Sequence, residues 1–193
     1  MKSKPTDLAE DNAEHDKRIT RLNGLLLHAA FIPSLLLFGL LIRIAIAIFL
    51  PVEQISDSGW YVSRAVEIAT GLGYQEGGAP TAYWPIGWPA ILAGVYSLTG
   101  SIPLSVVILN LAGAFMIMLL IPWFGRELAG NELVGRVALL AYAIYPNHIA
   151  YTSNAASETV YTALVMGAFA LMIHGRSRIW QLFISGLIFG VVT

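Results

Sequence analysis

The sequence has no cysteine, which excludes a disulfide framework, a thiolate metal site and a cysteine nucleophile. It is also poor in charge: Asp, Glu, Lys and Arg make up only 12% of 193 residues, against 56% hydrophobic residues. That is too apolar for a soluble domain of this size and points to several membrane spans. The net charge of −1 implies no nucleic-acid partner. There is no repeat of fixed period and no low-complexity tract. No Ser–His–Asp set and no paired-histidine metal motif is present. Gly71-Leu72-Gly73 precedes no strand–helix unit, so it is not a dinucleotide loop.

What is present is a succession of apolar runs. Residues 1–22 form a hydrophilic tail of mixed sign, read as solvated, with Lys2, Lys4, Lys17, Arg18 and Arg21 set against five acids. The run 25–50 is too long for a signal-peptide core and reads as an uncleaved first span, with Pro33 as a candidate kink. Four further runs follow, at about 102–123, 133–149, 155–173 and 179–193, and the last stops as if cut mid-helix. The fold expected is all-α: a polytopic transmembrane helix bundle over residues 23–193, incomplete at its C-terminus.

Between the first two spans lies a polar, aromatic, glycine-rich loop, 51–101. Lys and Arg number 5 in the tail, 1 in this loop, 2 at Arg126 and Arg136, 0 at 149–155, and 2 at Arg176 and Arg178. That alternation puts the N-terminus in the cytoplasm and the loop outside a plasma (inner) membrane crossed several times. The apolar segment 86–98 is too short to cross and suits a helix lying at the interface, as does a helix from about Ser58 to Thr70. On the latter, Tyr61, Val62, Ala65, Val66, Ile68 and Ala69 share one side, and Trp60, Ser63, Arg64, Glu67 and Thr70 the other. Trp60, Tyr83, Trp84, Trp88, Tyr145 and Tyr151 gather at the outer boundary, Trp123 and Trp180 at the inner one.

Asp57 opens the first of these helices, and an N-cap and a working carboxylate are both open roles for it. Arg64 is placed to meet an anion or to pair with Glu67 at i+3. Glu76 sits on a glycine turn, where a solvated side chain is expected. Glu158, in the first turn of a span, either complements the helix dipole or is a second site carboxylate, with His148 close by in sequence. The topology puts Asp57 and Glu158 on the same side of the membrane. Arg43, inside the first span, either snorkels or serves a site. The spacings Ala163-xxx-Gly167 and Gly186-xxx-Gly190 suit helix packing.

With Ser56-Asp57-Ser58-Gly59-Trp60-Tyr61, Pro80-Thr81-Ala82-Tyr83-Trp84-Pro85-Ile86-Gly87-Trp88-Pro89, and the stretch from Tyr145-Pro146 to Ser157-Glu158 in this order, the chain resembles polytopic glycosyltransferases that use polyprenyl-phosphate sugars. Protein O-mannosyltransferases and lipid A aminoarabinose transferases are examples of that superfamily. The resemblance covers most of residues 25–193 and implies inverting transfer of a sugar from a lipid phosphate to an acceptor hydroxyl on the outer face. It implies Asp57 as the catalytic residue, and Arg64, Tyr83, Trp84, Trp88, Glu158 and Arg43 as substrate-binding candidates. The implied partners are a polyprenyl-phosphate-sugar donor, a glycan, lipid or protein acceptor, and membrane lipids, with no nucleic acid. The resemblance fixes no cofactor, and a divalent metal stays open. The chain departs from the family at Ser58, where mannosylating members often carry a second acid, and at Tyr83-Trp84, where aminoarabinose transferases place a lysine. It also matches only the first part of such enzymes. The alternative is a non-catalytic membrane bundle, a transporter-like module or a scaffold subunit.

Overall fold

A computed structural model describes residues 17, 18, 20–175 and 178–192. Most of the hydrophilic tail, including Lys2 and Lys4, lies outside the described residues, as does Arg176. The described chain is helical apart from one hairpin. Helical residues 20–26 lead through a turn into α1 (Phe31–Phe49). Pro33 falls in the first turn of α1, where a missing N–H breaks no helical bond, so it starts the helix rather than kinking it.

The loop that follows folds into α2 (Asp57–Ala69), a hairpin of β1 (Gln75–Glu76) and β2 (Ala79–Pro80), and α3 (Gly87–Thr99). Gly77 and Gly78 both take positive φ, as a two-residue hairpin turn demands. At 13 residues, α3 is about 20 Å long, too short to cross a bilayer. It packs its Trp88, Leu92 and Ala93 against Ala65 of α2, with Val106, Ala155 and Val160 completing one core.

The central helix, α4 (Ile102–Ala129), extends past the expected end at 123 and is about 42 Å long. Ser101 caps its start by accepting from Leu104 N–H at 3.5 Å. It turns back at Gly130 into α5 (Glu132–Ala143), and the two helices cross closely: a Cβ on Gly135 would lie 2.8 Å from Pro122 Cα. Gly125 meets Gly135 in the same way, so this crossing needs glycine at both positions.

The expected span 133–149 is not one helix. Helix α5 stops at Ala143, about 18 Å long, and the chain restarts as α6 (Pro146–Ala150), a 3₁₀ turn (Tyr151–Ser153) and then α7 (Glu158–His174). The cause is local. Pro146 has no N–H to extend α5, and it holds Tyr145 in an extended conformation with φ −69° and ψ 114°. Residues 146–153 and α7 meet at 112°. Helix α8 (Ile179–Val192) runs back along α7, with Ser185 Oγ donating to Ala168 O at 2.9 Å. Ala163 and Gly167 of the small-residue spacing lie at the packed face of α7, Gly167 against Met116, whereas Gly186 and Gly190 face open space. Among the described residues, α1 and α4 are long and apolar enough to cross a membrane, and the bent 146–174 pair makes a third if it counts as one span.

Side-chain bonds fix which ends lie together. Arg136 donates to Leu26 O at 2.6 Å and His28 O at 2.9 Å, and pairs with Glu132 at 2.6 Å. This gathers the start of α1, the end of α4 and the start of α5. At the opposite end the 51–101 loop meets the break before α7.

That break would leave backbone groups unsatisfied if it faced lipid. Asn110 of α4 answers with one amide, Nδ2, donating to Asn154 O at 2.8 Å, Tyr151 O at 2.9 Å and Thr152 O at 3.3 Å. Asn110→Leu keeps the volume and strips the shared donor. It should lower unfolding stability by about 1–3 kcal/mol, read from denaturant or thermal unfolding in detergent micelles. An unchanged midpoint would mean that those carbonyls find other partners.

Candidate functional site

The site grows from the entry to α2. Ser56 occupies the N-cap position with φ 53° and ψ −128°, a conformation that favours glycine and costs on the order of 1–3 kcal/mol in other residues. The surrounding bonds hold it there. Trp60 N–H donates to Ser56 O at 3.0 Å, Ser58 Oγ donates to Ile55 O at 2.8 Å, and Gly59 sits so close that a Cβ would lie 3.0 Å from Gln54 O. Asp57 is therefore the first helical residue rather than the N-cap, and no side chain caps this helix. Its carboxylate is exposed and accepts only a 3.2 Å bond from Ser56 Oγ.

Gln54, just upstream, clamps this loop to the break before α7. Its Nε2 donates to Ser153 O and its Oε1 accepts from Ala155 N–H, both at 2.7 Å. Ser153 Oγ in turn accepts from Val52 N–H at 3.3 Å. Trp88 adds a third tie, with Nε1 donating to Ala155 O at 2.8 Å. Glu158 follows this clamped segment as the exposed first residue of α7.

Tyr61 stands one turn after Asp57 on α2, and the Gln54 clamp brings the Glu158 end of α7 to the same loop. Burial pushes the Tyr61 phenol above the ordinary tyrosine range, a hydrogen bond with Ser157 pulls the other way, and the charges of Asp57 and Glu158 push it up further. Below the Tyr61–Ser157 pair lies a cavity of about 80 Å³, walled by Trp88 and Ile91 of α3, Val160, Tyr161 and Leu164 of α7, and Val191 of α8. Its lining is largely apolar. Among the described residues no three His, Asp or Glu side chains gather as a metal-ligand group.

The other expected contacts are distributed differently. Arg64 is buried instead of lying on the solvated side of α2. Its Nη2 donates to Glu67 Oε1 at 2.9 Å, its Nε lies 2.8 Å from Glu67 Oε2, and its guanidinium sits 5.3 Å from the Trp60 ring centre. Glu76 is not merely solvated: it accepts from Trp60 Nε1 at 3.1 Å and lies 4.0 Å from Arg64. Arg43 does not snorkel. It is fully buried, donating to Gly39 O at 2.9 Å, Tyr142 O at 3.3 Å and Ala143 O at 3.4 Å, where its charge meets the carbonyl end of α5.

His148 packs its ring 5.1 Å from Tyr142 and 5.5 Å from Tyr145, with Nδ1 buried and lacking a partner, instead of bonding at an interface. Tyr83 is 73% exposed and Trp84 half-buried, so they form a rim, whereas Trp88 is buried beneath them as a tie. Tyr61 and Gln54 were not singled out from the sequence as site residues. Tyr61 could have been, since it stands four residues after Asp57, on the same helix face.

The placement of the two acids has a spectroscopic consequence. Because the folded-state pKa of Tyr61 is raised, its neutral form favours the fold fully below about pH 10, and that contribution is lost as pH climbs through the folded value. The ultraviolet difference titration between the intact chain and Tyr61→Phe should show a phenol ionising later than free tyrosine. Asp57→Asn and Glu158→Gln should each move it back down. An unmoved titration would separate the acids from Tyr61.

No protein-family model, curated protein or solved structure matches this chain.

Proposed function

We propose that this chain is a polytopic membrane glycosyltransferase, or the N-terminal part of one, with its 51–101 loop outside the membrane. In this reading it moves a sugar from a polyprenyl-phosphate donor to an acceptor hydroxyl, with inversion. The observation that carries the reading is the clamp of Gln54, three residues before Asp57, onto Ser153 and Ala155, just before Glu158, which brings these two acids, 101 residues apart in sequence, to one end of the bundle near an apolar cavity walled by helices. The sequence resemblance supports the same assignment.

In the reaction Asp57 takes the acceptor O–H proton as the acceptor oxygen bonds to the anomeric carbon. The bond from that carbon to the phosphate oxygen breaks, and its electron pair leaves on the lipid phosphate. Asp57 suits this role because its carboxylate is exposed and spends only one bond on the protein. The leaving phosphate is already anionic and needs positive or dipolar stabilisation rather than a proton. Arg64 and Arg43 are occupied by internal partners, so neither is free to supply it.

The occupation of both arginines also favours a second reading, a non-catalytic membrane bundle in which Asp57 only decorates the start of α2. One substitution separates the two. In membranes supplied with polyprenyl-phosphate sugar, Asp57→Asn should cut transfer by about 100-fold or more, with helical content unchanged by circular dichroism. Undiminished transfer by a folded variant would overturn the enzyme assignment.

A further inference from the structure

Beside the Tyr61 cavity lies a second, more open cleft of about 490 Å³, which shares Pro85, Gly87 and Val191 with it. The remaining wall carries the Tyr74 and Trp84 rings and the Thr81 hydroxyl. Its volume falls within the usual range of small-molecule sites, roughly 300–1,000 Å³.

The cleft's aromatic rings are built into one array. Trp60 meets Tyr74 edge-on at 6.0 Å and Tyr83 at 6.3 Å, and Tyr83 meets Trp84 at 5.3 Å. Two polar ties fix it. Tyr74 Oη donates to Trp84 O at 2.6 Å, and Trp60 Nε1 donates to Glu76 Oε1 at 3.1 Å. The turn through Gly71 and Gly73, both at positive φ, brings Glu76 back beside Trp60, so the array is held by tertiary bonds as well as by sequence proximity. Tyr83 stays 73% exposed and the Glu76 side chain 51% exposed.

We propose that this cleft binds a saccharide ring of the acceptor, which makes the acceptor a glycan. The inference rests on the transferase reading above and narrows its acceptor class. A pyranose presents a face of C–H groups that stacks on an aromatic ring and an edge of hydroxyls that needs hydrogen-bonding partners. Trp84 and Tyr74 supply the rings and Thr81 a polar partner, and Tyr83 and Glu76 brace the array beside the cleft. A set of rings serving only as an interfacial belt would sit at headgroup level and need neither the cleft nor the polar ties. The shared wall at Pro85 and Gly87 sets the saccharide next to the Tyr61 cavity.

The test uses the full chain in lipid nanodiscs and tryptophan fluorescence, titrated with lactose, maltose, mannobiose and N,N′-diacetylchitobiose. At least one disaccharide should give a saturable change. Trp84→Leu should abolish it, Thr81→Val should weaken it about tenfold, and Trp180→Phe, on exposed α8, should leave it intact. Circular dichroism checks that each variant keeps its helical content, and Thr81→Val carries the test if Trp84→Leu does not fold.

The proposal is overturned if no disaccharide gives a saturable signal, or if neither cleft variant alters it. It is also overturned if the variants change only depth-dependent quenching by brominated lipid, which would make the rings a membrane belt. Transfer to a peptide hydroxyl without saccharide binding would sink this inference and leave the transferase standing. Saccharide binding without transfer by the intact chain would do the reverse.

Discussion

The constraint on which the rest of this structure depends is the interruption of an apolar run between Ala143 and Glu158. A helix that stops inside a packed bundle leaves carbonyl and N–H groups that need other partners. Three side chains from three distant segments meet that demand. Asn110 serves three carbonyls, Gln54 serves one carbonyl and one N–H, and Trp88 serves the Ala155 carbonyl. Arg43 meets the same need at the carbonyl end of α5. Remove the break, and none of these polar residues has a reason to be buried.

The same bonds that satisfy the break assemble the site. Gln54 lies three residues before Asp57, and Ala155 three before Glu158, so clamping one backbone to the other brings the two acids to the same end of the bundle. Trp88 draws α3 onto that segment and leaves beneath it an apolar cavity closed by α7 and α8. The strained Ser56 belongs to this arrangement. The chain must turn sharply between the clamped Gln54 and the start of α2, and a residue with positive φ is what turns it.

Positive charge is spent inward. Arg43 lies on helix carbonyls, Arg64 on Glu67 under Trp60, and Arg136 on Glu132 and two carbonyls near α1. Arg43 and Arg136 each donate to several oxygens, the use to which a planar set of donors is suited.

Much of the architecture was legible along the chain because its causes are local. Hydropathy marked α1 and α4, and helical spacing placed α2 and α3 within a residue or two of their observed limits. The i+3 spacing announced the pair of Arg64 and Glu67. Pro146 carried the signal for the break, yet the apolar residues around it concealed the interruption, since hydropathy sums side chains and is blind to backbone direction.

What the sequence by itself determined, then, is an all-helical, membrane-seeking chain with a polar aromatic loop and Asp57 at the head of a helix. Only the tertiary structure decided that Arg43 is buried, that Trp88 is a buried tie, and that Gln54 clamps the Asp57 loop to the segment before Glu158. The physical reason is distance along the chain. The tertiary partners of Arg43, Trp88 and Gln54 lie between 67 and 101 residues away, and no periodicity or local propensity encodes which of them will meet.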